Sequence, residues 1–163
     1  MKPIQAEPQV LDVHQEAYIN YGRIDLTQGV YAEAEEKGAF WFLDVIASYQ
    51  MYPEFKSEPF QVWELKQIGD TRTFLVTCHN GNGVSLFAKK FGDVMLDGDN
   101  VISRVRLLTR VQTECDPVAM QILRTEAMKQ DYRLGQLIPY SDFPDSEWKV
   151  YNDMGVVLLP EEY

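Results

Sequence analysis

The sequence predicts an α+β domain in which N-terminal helices pack on a mainly antiparallel β-sheet, with a further helix around 117–133. Three observations lead there. The apolar pattern is helical as far as Tyr49 and changes to period two after Pro59. Turn signals at Asn80-Gly81-Asn82-Gly83 and Asp97-Gly98-Asp99-Asn100 then break the chain at the short spacing that antiparallel strands use. Asp116 followed by Pro117 marks a second helix start late in the chain, cap residue then first-turn proline.

The elements follow in order. Residues 1–24 mix Pro, Gln and acids without a period and are expected to form a loosely attached arm, with one short helix over Leu11–Tyr18. Asp25 with Gln28 resembles a capping box, so a helix is expected from about Thr27, divided or bent at Gly38. Ala39–Tyr49 is apolar nearly all round and reads as the core helix, with Asp44 and Ser48 on an exposed stripe and Trp41 beside it. After a loop bracketed by Pro53 and Pro59, Phe60–Lys66 and Thr73–Cys78 read as paired strands, and Val84–Phe91 as a third. Val101–Val111 alternates most clearly of all, placing Val101, Val105, Leu107 and Val111 on one side and Arg104, Arg106 and Arg110 on the other. The helix from Pro117 is expected to end near Arg133, with Gly135 as terminator. Gln136–Tyr140 is extended, Ser141–Ser146 a loop, and Trp148–Tyr151 with Val156–Leu159 a closing hairpin whose second strand is apolar on both faces.

Size and composition bound the function. The 163 residues include 45% apolar side chains, eight Phe, nine Tyr and three Trp, enough for one core and one domain spanning 1–163. The start lacks an apolar signal core and Ala39–Ala47 is too short and too interrupted to span a bilayer, so no export, no membrane association and a cytoplasmic location are expected. Net charge is −10, distributed as −6 over residues 1–58, +2 over 59–113 and −6 over 114–163. Such a field repels nucleic acid, so no direct nucleic-acid binding is expected, and it attracts cationic partners.

Chemically armed residues are few. Cys78-His79 is where a thiol and an imidazole adjoin, but neighbours on a strand point to opposite faces. His14, Cys78, His79 and Cys115 have no zinc-site spacing, Asp97–Asn100 lacks the ligand order of a calcium loop, and Asn80–Gly83 has no following Lys-Ser or Lys-Thr. No catalytic residue, metal or cofactor is therefore assigned. The most specific feature is the Arg104, Arg106 and Arg110 face, which would need an anion opposite it, either an anionic ligand or partner or the protein's own acidic helices. Trp41, Asp44, Tyr140, Asp142 and Phe143 are candidates for an interaction surface.

The blocks Gly38–Gln50 (GAFWFLDVIASYQ), Phe60–Leu65 (FQVWEL), Tyr140–Pro144 (YSDFP) and Gly155–Tyr163 (GVVLLPEEY), with Thr77-Cys78 and Asn80–Gly83, are similar to a family of small bacterial proteins. That family is also met on phages and plasmids and is known only as a domain of unknown function. The resemblance covers residues 27–90 and 136–163, while 92–134 departs from the pattern as an insertion or replacement. It implies a fold core and a mobile-element accessory role, but no activity.

The expected function is that of an acidic, non-enzymatic interaction module, an accessory or inhibitor protein binding a basic macromolecular partner. The alternative is a small enzyme acting on an anionic substrate through Cys78 and His79 or Asp44. A protein partner is expected, and self-association stays open.

Overall fold

A computed structural model describes residues 17–109, 115–129, 132 and 135–163. Its first elements are two short strands, β1 (Ile19–Tyr21) and β2 (Ile24–Leu26), which pair antiparallel across a turn where Gly22 takes φ of 65°. From Ile19 onward the expected arm is thus built into the sheet, because Ile24 and Leu26 are buried there. The helix expected over Leu11–Tyr18 lies largely outside the described residues, and Ala17 and Tyr18 are not helical.

Thr27 caps α1 (Gln28–Lys37) by accepting a hydrogen bond from Val30 N at 3.2 Å, so the cap is Thr27 and not an Asp25 box. The Thr27 hydroxyl also donates to Glu162 Oε1 at 2.8 Å, tying the helix start to the chain end. Gly38 ends α1 in the left-handed conformation, φ 63°, which divides it from α2 (Phe40–Tyr49). The segment expected as a loop contains α3 (Pro53–Lys56), whose Phe55 is buried.

The strands β3 (Phe60–Gln67) and β4 (Phe74–His79) pair antiparallel, as period two predicts. The third strand expected over Val84–Phe91 is instead α4 (Leu86–Phe91). Ser85 Oγ accepts from Ala88 N, and Phe87 and Phe91, four residues apart, both reach the ring of Tyr49. A hairpin follows, β5 (Val94–Asp97) and β6 (Asn100–Ser103), turning at Gly98. The strand expected to run to Val111 stops at Ser103, whose Oγ accepts from Arg106 N at 3.2 Å and opens α5 (Arg104–Leu108). Of the residues expected on one strand side, Leu107 is buried but Val105 is 72% exposed.

Asp116 caps α6 (Pro117–Ala127), which ends before Met128 rather than at Arg133. Gly135 does not terminate it. That glycine sits in β7 (Gly135–Ile138), where a Cβ would stand 1.9 Å from the Val76 carbonyl oxygen, so only glycine lets β7 approach β4. The closing hairpin is β8 (Glu147–Asp153) and β9 (Val156–Leu158), and a 3-10 turn at Pro160–Glu162 follows.

Among the described residues nine strands form one sheet, ordered β1-β2-β9-β8-β3-β4-β7-β5-β6. Pairing is antiparallel except for β2 with β9 and β5 with β7. One face places Trp63, Leu65, Phe74, Val76, Cys78, Val150 and Val157 in a core with residues of α1–α4. On the other face Ile68, Leu75, Met95, Ile102 and Leu137 join residues of α5 and α6, so the helix layer is not N-terminal alone. The strand β9 is interior in order, but only Val157 is buried while Val156 and Leu158 are partly exposed, so it is not covered on both sides.

Candidate functional site

The arginines expected on one strand face separate. Arg104 and Arg106 lie on α5, where two residues apart means about 200° apart around the axis, and Arg110 is outside the described residues. Arg104 is a staple: Nε is 2.9 Å from Asp93 Oδ2, Nη1 donates to the carbonyls of Ala127 and Lys129, and the guanidinium lies over the Tyr132 ring. Arg106 is exposed.

The residues expected to form an interaction surface divide between surface and core. Tyr140 and Asp142 are exposed. Phe143, next to Asp142, is 1% exposed and is a core residue rather than part of a surface. It stacks on Trp148 and meets Phe74 edge-on, with its amide bonded to Ser141 Oγ and its carbonyl accepting from Arg72 Nη2. Trp41 is half-buried against the main core. Asp44 is exposed on α2 and accepts a 2.6 Å bond from the Tyr21 hydroxyl, whose pKa burial and that carboxylate raise to about 12.

An acidic edge emerges where the C-terminal end of α1 meets the Ser141–Ser146 segment. Lys37 Nζ donates to Asp145, and its pKa is raised chiefly by that bond and further by Asp145, Glu33 and Glu36, against the opposing effect of burial. Glu35 and Glu36 on α1, and Asp142 and Glu147 on either side of Asp145 in sequence, are exposed.

Cys78 and His79 face opposite ways. Cys78 is 1% exposed in the main core, and burial, with Glu58 and Glu64 adding to it, pushes its thiol well up. His79 lies on the other face, where Nδ1 accepts from Gly81 N and Nε2 is 3.9 Å from Glu64. Cys115 belongs to the second core, and no disulfide joins it to Cys78. Among the described residues no three His, Cys, Asp or Glu side chains group as a metal ion would need, and no helix is long and apolar enough to cross a membrane.

Sequence reasoning missed a group of buried carboxamides. Gln61 Oε1 accepts from Gln50 Nε2 (2.9 Å), Trp63 Nε1 (2.9 Å) and Asn152 Nδ2 (3.1 Å), while its Nε2 donates to Gln50 Oε1 and to the Phe55 carbonyl. Asn152 Oδ1 in turn accepts from Gly155 N. One signal was available: Gln61 is in phase with Trp63 and Leu65, the buried side of β3. This network floors a cleft of about 450 Å³ whose rim carries Arg23, Lys56, Glu58 and Met154.

Residues 9–101 match the model of a family described only as being of unknown function (DUF6876), and the chain belongs to that family. The match begins upstream of Thr27 and takes in β5 and part of β6, whereas the similar blocks at Tyr140–Pro144 and Gly155–Tyr163 lie beyond it. No curated protein and no solved structure matches the chain.

Proposed function

We propose that this family member is a non-enzymatic interaction module that presents an acidic edge, built by α1 and the segment from Ser141 to Glu147, to a basic surface of a macromolecular partner. The observation that carries the reading is the surroundings of Lys37. Asp145, Glu33 and Glu36 all act on this one lysine, and Glu35 on the same helix and Asp142 and Glu147 on either side of Asp145 in sequence are exposed. Like charges held this close repel one another in the free protein, and a basic partner relieves that repulsion while the field speeds its approach. An inhibitor or accessory protein uses an edge of this kind to occupy a partner's cationic surface.

The test is capture from cell lysate on immobilised protein, comparing the natural chain with a variant carrying E33Q, E35Q, E36Q and D142N. These substitutions leave the Lys37–Asp145 pair in place. The natural chain retains a basic protein at low salt and releases it at high salt, and the variant associates with it about tenfold or more slowly. Retention of nothing at low salt, or equal retention by the variant with an unchanged circular dichroism spectrum, overturns the reading.

A further inference from the structure

The cleft over the buried carboxamides is a binding site for a small organic anion, we propose, with Arg23 and Lys56 holding a carboxylate or phosphate and Asn152 and Gln50 holding the ligand's polar end. Five segments converge on it: the β1–β2 turn, the end of α2, the end of α3, the start of β3 and the β8–β9 turn. Its volume of about 450 Å³ is in the range of small-molecule sites.

The hydrogen-bond inventory shows what the floor still offers. Gln61 is saturated, since its oxygen already accepts three bonds and its nitrogen donates to Gln50 and Phe55. Gln50 Nε2 is spent on Ile46 O and Gln61, but Oε1 has accepted once and keeps a lone pair. Asn152 has given one amide hydrogen to Gln61 and taken one from Gly155, which leaves one donor and one acceptor among the described residues. Gln50 is 6% and Asn152 2% exposed, so these valences sit in a locked, nearly dry wall. A ligand group that both donates and accepts, such as an amide, fits them.

The rim supplies the charge preference. In a chain of net charge −10, Arg23 and Lys56 make no ion pair among the described residues, as Lys66, Arg72, Arg106 and Arg124 do not, but these two line the same cleft. Glu58 also lines the cleft but lies 3.9 Å from Lys89, so the rim has a cationic surplus. Met154 on the same rim takes φ 54° beside Gly155 at φ 94°, as the two-residue turn between β8 and β9 requires.

The test is an NMR titration following the side-chain amides of Gln50 and Asn152 and the Gly155 amide. The probes are N-acetylglycine, its neutral amide and inorganic phosphate. N-acetylglycine shifts those signals saturably, its neutral amide binds at least tenfold more weakly, and the R23Q K56Q double variant, changed only at exposed positions, weakens N-acetylglycine at least tenfold. A phosphate response at the Gly155 amide tighter than that to N-acetylglycine identifies the anion as phosphate, and a weaker one identifies it as carboxylate. Absence of a saturable shift by either anion, equal shifts by the neutral amide, or an unchanged response in the double variant overturns the proposal.

Discussion

Replacing Gln61 by leucine keeps the bulk beside Trp63 but removes the oxygen that Gln50, Trp63 and Asn152 all donate to. Each donor left buried without an acceptor costs about 1–3 kcal/mol, so Q61L is expected to lose at least that much stability, read as a lowered urea midpoint with unchanged slope. A midpoint equal to that of the natural chain would mean that the donors find other partners and that the network is not closed. The same residue shows why the carboxamides escape a reading by pattern. Period two tells which side of β3 is buried, but not that a glutamine on that side will find three donors from α2, β3 itself and β8. Arg104 fails in the opposite sense: its charge is legible, but its commitment to Asp93 and to the carbonyls of Ala127 and Lys129 depends on the placing of segments far along the chain.

Among the elements, those set by local chemistry were legible and those set by competition between local signals were not. Gly38 and the Asp116-Pro117 pair act within one helical turn, and the helix boundaries they mark stand where such signals place them, while α1 starts where expected but on a Thr27 cap rather than an Asp25 box. Val101–Val111 and Val84–Phe91 carry both an alternating pattern and a serine three residues ahead of a backbone N–H it can cap, and in both the cap prevails. The reason is burial: Leu107 reaches the second core from a helix, and Phe87 and Phe91 reach Tyr49 from one helix face, whereas a continued strand would extend beyond the partners available to β6 at the sheet edge. Ser103→Ala tests this. Loss of the cap at α5 is expected to cost about 0.5–2 kcal/mol in denaturant unfolding, while alanine at the end of a true strand would change little. An unchanged midpoint would return this segment to the strand reading.

At the scale of the molecule, class and mainly antiparallel pairing were within reach of the sequence, but strand order was not. The placing of β9 between β2 and β8, and the two parallel pairs, join segments distant along the chain, and local periodicity is silent about them. Assembly into this sheet also changes the tyrosines together. Burial first, with Asp44 for Tyr21 and Asp93 for Tyr132, raises the phenols of Tyr21 and Tyr132 to about 12, and Tyr49 moves upward by burial with help from Tyr52. In the unfolded chain the same phenols ionise near 10. Below pH 10 both states hold these protons and the folded state keeps its full stability. Between about 10 and 12 the unfolded state loses them first and binds fewer protons than the folded one, so stability falls as pH rises. Phenolate absorbance and circular dichroism followed together should show the phenolates of Tyr21, Tyr49 and Tyr132 appearing only with cooperative unfolding. General repulsion in an acidic chain would also weaken it in alkali, but added salt relieves that and leaves the proton linkage of buried phenols in place. Ionisation of all nine tyrosines near pH 10 in a chain that stays folded would show that burial in this sheet does not hold the three protons.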